Sequence, residues 1–200
     1  MRIFFILTLL SITLSCATLD KISGKRAAEQ KNLCTEYYNI AEGYMNIKEY
    51  AKAIPYYEKA MADADLYSSA YYELGRAYAL SKNWEKAEEV FRAFLEKDAE
   101  NLDLQMSVAY ILAMKGDFNE AIEMYRSLIE KNPDVAELQK NYIAVLLSCG
   151  RAEMAEEQFA AFSAHFPDNS DLSDLKAKIT SALADKASDA EPTPASENGE

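Results

Sequence analysis

The stretch AKAIPYYEKA at residues 51–60 sets a pattern that returns three more times in this chain. The later copies are EKAEEVFRAF at 85–94, NEAIEMYRSL at 119–128 and EMAEEQFAAF at 153–162, so the pattern has a 34-residue period. The third position of every copy is an alanine and the seventh is aromatic: Ala53, Ala87, Ala121 and Ala155, then Tyr57, Phe91, Tyr125 and Phe159. A fixed period of this length is typical of a repeat architecture.

The composition limits the classes of fold and function. Half of the 200 residues are apolar, which is enough for one domain with a hydrophobic core. The chain has 21 basic and 33 acidic residues, a net charge of −12, which argues against a nucleic-acid partner. Apolar residues recur with the helical rather than the alternating period, so the pattern predicts an all-α protein without a sheet.

Further columns agree when the chain is aligned on this period. One column is apolar and the next is small except in its last member: Ile40, Leu74, Val108 and Tyr142, then Ala41, Gly75, Ala109 and Ile143. The second copy matches the motif W-x2-L-G-x2-Y followed by A-x3-F at nearly every place: Tyr71, Leu74, Gly75, Tyr78, Ala87 and Phe91. Over residues 34–169 the chain therefore resembles the tetratricopeptide-repeat family. The resemblance implies a superhelical solenoid of four helical hairpins, at 34–67, 68–101, 102–135 and 136–169.

The residues support hairpins independently of the family. Each copy divides into two apolar-periodic segments, which separate at Lys48-Glu49, Lys82-Asn83, Gly116-Asp117 and Gly150-Arg151. Gly116 and Gly150 suit a left-handed helix end, and Asp117 is a suitable N-cap for the following helix. Pro133 and Pro167 are expected to end the second helix of their copies, whereas Pro55 falls inside a second helix.

Residues 170–185 predict a terminal helix that covers the last hairpin. Leu172, Leu175, Ile179 and Leu183 form one apolar stripe at helical spacing, and the opposite face is charged. The segment 186–200 has no large apolar residue and a net charge of −3, so it is expected to be a disordered acidic tail.

The segment at positions 1–15 has the composition of a secretory signal peptide. Arg2 precedes an uncharged run that is too short to span a bilayer. The sequence Leu14-Ser15-Cys16-Ala17 resembles a bacterial lipoprotein cleavage box, although the leucine lies one place later than usual. This resemblance implies cleavage before Cys16, acylation of Cys16 and anchoring of the chain by its acyl chains. An ordinary signal peptide and an uncleaved anchor are the alternatives.

The residue after the cysteine bears on localisation. In similar lipoproteins an aspartate there favours the inner membrane, so Ala17 favours the outer membrane, with the domain facing the periplasm. Residues 16–33 would then form a tether, whose net charge of +2 would either attract it to anionic headgroups or leave it a solvated spacer.

Family members bind protein segments mostly in a concave groove lined by the first helices of their repeats. The matching columns of this chain are Tyr38, Glu42, Met45, Tyr72, Arg76, Leu80, Met106, Tyr110, Met114, Lys140, Ala144 and Leu147. Chaperone-binding members hold a carboxylate with a Lys/Asn clamp, but Tyr38 and Glu42 stand at those places, so the resemblance does not extend to that activity. The alternative is that neighbouring helices or the N-terminal segment cover several of these residues.

No catalytic motif, phosphate loop or paired metal-ligand motif is present, so the sequence predicts neither an enzyme nor a cofactor. Cys34 and Cys149 belong to the first and fourth hairpins, too far apart to form a disulfide. The leading hypothesis is a non-catalytic, membrane-anchored adaptor of the bacterial envelope, in an outer-membrane assembly complex or a similar one. The alternative is a small-ligand chaperone associated with a solute transporter.

Overall fold

The structure, a computed structural model, describes residues 25–190, and all regular elements in that range are α-helices. The helices in this range are α1 at residues 25–46, α2 at Tyr50–Ala60, α3 at Tyr67–Leu80, α4 at Trp84–Leu95, α5 at Leu102–Lys115, α6 at Phe118–Lys131, α7 at Ala136–Ser148, α8 at Ala152–His165 and α9 at Leu172–Ala190. The predicted all-α fold of consecutive helical hairpins is confirmed.

The helices form two compact units that meet in sequence within α4, the first ending at Val90 and the second beginning at Phe91. In the first unit α2 packs against α3, and the core includes Ala53, Tyr57, Leu74 and Tyr78. In the second unit each helix from α5 to α9 packs against the next, and α5 also contacts α7. Its largest fully buried side chains are Tyr125, Phe162, Ile111, Leu112, Leu138, Ile143, Leu146 and Val108.

The alanine column explains how the paired helices approach each other. Ala53, Ala87, Ala121 and Ala155 all have 0% of their surface exposed. A methyl side chain at this place allows two backbones to pack closely, where a longer side chain would separate them. In three copies the aromatic column is buried as well, since Tyr57 and Tyr125 are 0% exposed and Phe91 is 3% exposed, whereas Phe159 of the fourth copy is only half-buried.

The turn between the two helices of a hairpin has the same backbone geometry in all four copies. Lys48, Lys82, Gly116 and Gly150 lie at the same repeat position and have φ values of 61°, 63°, 92° and 74°. The N–H of the next residue donates to a carbonyl of the preceding helix at 2.8–2.9 Å in every copy, as from Asn83 to Tyr78. This pattern is the Schellman motif. The left-handed conformation predicted at the two glycines is confirmed, and two lysines adopt it as well.

Proline affects the second helices as the sequence predicts. The helices α6 and α8 end at Lys131 and His165, each shortly before Pro133 or Pro167. Pro55 lies inside α2, which nevertheless continues from Tyr50 to Ala60.

Three expectations differ from the structure. Asp117 occupies the N-cap position of α6 but makes no capping hydrogen bond, because its carboxylate pairs with Lys115 at 2.9 Å. Residues 25–33 of the expected tether belong to α1. Lys31 in this part of α1 forms an ion pair with Asp65 at 2.5 Å. Residues 186–190 of the expected tail continue α9, and Lys186 pairs with Glu153 of α8 at 2.5 Å.

The terminal helix carries the apolar stripe that the sequence predicts. Leu175 and Ile179 are 7% and 3% exposed, and α9 packs against α8. The predicted signal peptide, Cys16 and the residues after 190 lie outside the described part of the chain.

Candidate functional site

The family's groove columns fall on the first helices of the hairpins, and the structure leaves them accessible. Within each unit, all of these side chains are half-buried or exposed. We define the first-unit face as Tyr38, Glu42 and Met45 of α1 with Tyr72, Arg76 and Leu80 of α3. We define the second-unit face as Met106, Tyr110 and Met114 of α5 with Lys140, Ala144 and Leu147 of α7.

On the first-unit face, Glu42 is held by a residue beneath it. The buried hydroxyl of Tyr57 in α2 donates a short hydrogen bond to the Glu42 carboxylate. The ring of Tyr38 packs edge-on against Tyr57, with the ring centroids 5.6 Å apart. Burial, reinforced by the bond to Glu42, raises the pKa of Tyr57 far above its usual value. The pair therefore consists of a neutral phenol that donates and a carboxylate that accepts, and it joins α1 to α2.

The cation of the first-unit face is also engaged within the chain. Nη1 of Arg76 lies 3.0 and 2.7 Å from the two carboxylate oxygens of Glu73, one turn earlier in α3. Leu80 at the end of the same helix is 47% exposed. The accessible surface of this face is thus mainly aromatic and aliphatic.

The second-unit face contains an open groove and a smaller cavity. The groove has a volume of about 310 Å³ and is lined by Asp103, Met106, Ser107, Tyr110 and Asn141. The cavity has a volume of about 100 Å³, and its walls include Tyr110, Met114, Ala144 and Tyr125. Tyr110 borders both spaces and is 48% exposed.

Lys140 stabilises the second unit internally. Its Nζ atom lies 2.8 Å from carboxylate oxygens of both Glu137 and Asp171. Hydrogen bonding to Asp171 and Glu137 raises the pKa of Lys140, so the ammonium remains charged at neutral pH. Because Asp171 directly precedes α9, this ion pair ties the terminal helix to α7. The lysine's charge is therefore compensated before any partner binds.

Sequence reasoning missed the contribution of Tyr57 and Tyr125, which are buried beneath these faces. Both occupy the aromatic column and are 0% exposed, and their spacing indicates only packing. The available signal was the alternation of Tyr and Phe in that column, since a buried tyrosine usually needs a hydrogen-bond partner. Asn141, which borders both the groove and the cavity, was also missed.

The described residues contain no other arrangement that suggests chemistry. Between residues 25 and 190, no group of His, Cys, Asp and Glu side chains could hold a metal ion. Cys34 and Cys149 are both free thiols, and Cys34 is buried. None of the helices in this range has the length and apolar character to cross a membrane.

Family models place this geometry in a known class. Two models, each described as tetratricopeptide repeat, match residues 38–102 and 112–179 and together cover about two thirds of the chain. These are scaffold repeats, and no enzyme family is indicated.

Solved structures show the same fold at low sequence identity. YrrB, described as a tetratricopeptide-repeat protein with an unusual peptide-binding site, is 23% identical with a TM-score of 0.54, over 82% of this chain and 83% of its own. A tetratricopeptide repeat protein from Parabacteroides merdae is 22% identical with a TM-score of 0.63, over 88% of this chain and 70% of its own.

One curated relative is named a lipoprotein. An uncharacterized lipoprotein of Treponema pallidum (strain Nichols) is 28% identical over 83 residues. The match spans 42% of each chain, so it reaches less than half of that relative's length. The two repeat models match more than half of the chain, and the solved structures share its fold. This chain therefore belongs to the tetratricopeptide-repeat family.

Proposed function

We propose that this protein is a non-catalytic adaptor that binds an extended segment of a protein partner. The observation that carries the proposal is the second-unit face, where Tyr110, 48% exposed, lines a groove of about 310 Å³ and Met114, 39% exposed, lines the smaller cavity. Tyrosine is a frequent anchor at protein interfaces, and methionine adapts to partners of different shape. Large apolar side chains grouped on one exposed face favour binding over simple solvation.

The charges of the two faces support the same kind of partner. Glu42, Arg76 and Lys140 each have a partner within their own unit. A carboxylate clamp of the chaperone-binding type would need accessible cations, and these faces present mainly aromatic and aliphatic surface instead. The proposed ligand is therefore a peptide recognised through apolar side chains and backbone groups. YrrB, whose fold is similar, is described as having a peptide-binding site.

Partner capture with in-cell crosslinking tests the adaptor role. Wild type is compared with the double variant Tyr72→Ser and Tyr110→Ser, which removes one aromatic anchor from each face. Tyr67→Ser is the matched control, because Tyr67 is 44% exposed but lies outside both faces. An envelope protein captured by wild type and by the control, and lost in the double variant, is the expected result. Equal capture by all three forms would contradict the proposal.

We further propose that a lipid on Cys16 anchors the chain in the bacterial envelope, with the outer membrane favoured by Ala17. The support comes from the cleavage box Leu14-Ser15-Cys16-Ala17 and from the relative that is named a lipoprotein. Several acyl chains on one residue would hold the domain at a membrane, since each buried CH₂ contributes about 0.8 kcal/mol. We propose that such an adaptor takes part in the assembly of outer-membrane proteins.

The anchor has its own test. Cys16→Ala is expected to abolish labelling with radioactive palmitate and to move the protein from the membrane fraction to the soluble fraction. Cys34→Ala is the control, because Cys34 is buried within the first unit and should not affect the anchor. Unchanged membrane retention of Cys16→Ala would overturn the lipid anchor. Separation of inner and outer membranes then tests the location.

The two spaces described in the second unit fit the alternative of a small-ligand chaperone less well. Sites for drug-sized molecules usually have about 300–1,000 Å³ of largely enclosed space. In the second unit the cavity has only about 100 Å³, and the larger groove is an open surface. A lipophilic molecule that co-purifies with the wild type would favour this alternative.

A further inference from the structure

The second unit contains a buried phenol that has no hydrogen-bond partner among the described residues. Tyr125 is 0% exposed, and its hydroxyl is the buried side-chain atom without a partner in that part of the chain. A buried polar group left unsatisfied destabilises the folded state, because it has given up its hydrogen bonds to water. Native proteins rarely leave such a group without a structural or functional reason.

A comparison between repeats shows why Tyr125 lacks an acceptor. Tyr57 and Tyr125 occupy the same position of the first and third repeats. In the first repeat, Tyr57 donates to Glu42. The position of Glu42 is taken in the third repeat by Tyr110. The third repeat therefore lacks the carboxylate that satisfies the phenol in the first.

The Tyr125 hydroxyl is suited to donate a hydrogen bond. Burial, together with the nearby Tyr110 and Glu137, raises the pKa of Tyr125 far above its usual value. The phenol thus stays neutral and keeps its hydrogen at any physiological pH. Tyr125 itself is one of the walls of the cavity, together with Tyr110 of α5 and Ala144 of α7.

The cavity beside Tyr125 has the size of one amino-acid side chain. Its volume is about 100 Å³, with Met114 and Ala144 among its apolar walls and Asn141 and Ser148 among its polar ones. Asn141 and Tyr110 also line the open groove, so the cavity adjoins the surface on which a peptide would lie.

We propose that this cavity receives the carboxamide side chain of a glutamine or asparagine from a peptide bound on the second-unit face. The assignment rests on the proposed peptide binding and specifies its ligand. In the free protein the Tyr125 hydroxyl has no accessible surface, so the carboxamide reaches it only when a neighbouring side chain moves aside. The carboxamide oxygen then accepts the hydrogen of the Tyr125 hydroxyl, and the NH₂ group donates to the side-chain oxygen of Asn141 or Ser148. A purely aliphatic side chain would leave the phenol unsatisfied.

Charge distinguishes a carboxamide from a carboxylate. Glu137 acts on Tyr125, and Asp103 lines the adjoining groove. The whole chain carries a net charge of −12. A glutamate or aspartate side chain would enter a negative environment and lose its hydration in a mostly apolar cavity, which disfavours the ionised form.

Selection from a random heptapeptide phage library tests the pocket with the purified full chain. Wild type and Tyr125→Phe are used in parallel, and Tyr142→Phe is the matched control, because Tyr142 is a buried tyrosine of the same unit that lines neither the groove nor the cavity. Wild type and the control are expected to enrich peptides with Gln or Asn at one fixed position, whereas Tyr125→Phe loses that preference. A synthetic peptide of the selected sequence should bind Tyr125→Phe about tenfold more weakly, as expected for one lost hydrogen bond.

The possible outcomes separate this assignment from the proposed function. Enrichment of the same peptides by wild type and Tyr125→Phe, or enrichment without a carboxamide, overturns the pocket and leaves peptide binding intact. No enrichment by any form overturns peptide binding and the pocket with it. A second variant, Ala144→Met, fills the cavity from its exposed rim and should also lower the affinity for the synthetic peptide. Thermal melting verifies that each variant is folded.

Discussion

The hydroxyl of Tyr57 donates to the carboxylate of Glu42, and this bond links the two helices of the first hairpin across their interface. Glu42 is half-buried and Tyr57 is fully buried, so the bond satisfies the polar atoms at one end of an otherwise apolar contact. The corresponding Tyr125 of the third repeat has no such partner among the described residues. The two tyrosines therefore share a position but differ in their contribution to stability.

Removing the two hydroxyls should have different effects. Tyr57→Phe breaks a charge-assisted hydrogen bond and is expected to lower the free energy of unfolding by about 1–2 kcal/mol. Tyr125→Phe removes a hydroxyl without a partner, so it should leave the stability of the free protein unchanged or slightly raise it. Urea denaturation of both variants measures the difference. Equal losses in the two variants would contradict the assigned hydrogen bonding.

The two turn lysines with positive φ, Lys48 and Lys82, predict a stabilising substitution. A non-glycine residue in the left-handed conformation costs roughly 1–2 kcal/mol, partly offset because glycine loses more entropy on folding. Lys82 has a φ of 63°, so Lys82→Gly is expected to raise the free energy of unfolding by about 0.5–1 kcal/mol. The reciprocal change Gly116→Lys should destabilise by a similar amount. Thermal melting of both variants checks the opposite signs, and shifts of the same sign would be inconsistent with the turn geometry.

Ala87 should not tolerate a larger side chain. It is 0% exposed at the contact between paired helices, so Ala87→Leu is expected to lower the free energy of unfolding by about 1–3 kcal/mol through overpacking. Ala51→Leu is the matched control, because Ala51 lies on the exposed side of α2 in the same unit. An unshifted melting temperature for Ala87→Leu would argue against the helix pairing.

Tyr78 predicts a loss of stability at alkaline pH. Burial, with Glu58 accepting a hydrogen bond from the hydroxyl at 3.1 Å, raises the pKa of Tyr78 to about 12. An unfolded tyrosine titrates near pH 10, so the contribution of Tyr78 is fully present below about pH 10. Above that value the unfolded state loses its proton first, and the contribution is lost as the pH rises to about 12.

The matched variant for this effect is Tyr78→Phe, which cannot titrate. The difference in unfolding free energy between wild type and Tyr78→Phe should be constant at lower pH and should fall between about pH 10 and 12. Other tyrosines titrate in both proteins and cancel in the comparison. A difference that stays constant up to about pH 12 would show that Tyr78 does not keep its proton more tightly when folded.

The helices could be predicted from the sequence because their signals are local. The repeat period, the buried alanine column and the prolines after α6 and α8 each specify structure within one copy. The left-handed turns were predictable at Gly116 and Gly150. At Lys48 and Lys82 they were not, because the residue type disfavours the conformation that the flanking helices impose.

The candidate site was only partly predictable. Family columns located the accessible side chains, since all of them prove to be half-buried or exposed. They could not show that Glu42 and Lys140 have partners within the chain, because those partners come from other helices or turns. The difference between Tyr57 and Tyr125 depends on what faces each hydroxyl, which requires three-dimensional contacts. Asp117 does occupy the predicted N-cap position of α6, but the sequence could not show that its carboxylate pairs with Lys115 and makes no capping hydrogen bond.

The identical turns at Lys48, Lys82, Gly116 and Gly150 have a consequence at the level of the gene. A segment that runs from one of these turns to the next contains one whole repeat and begins and ends on the same backbone geometry. Duplication or deletion of such a segment by unequal recombination joins a helix end to a helix start that already fit each other. The number of repeats can therefore change by whole copies in this family without a new turn between helices.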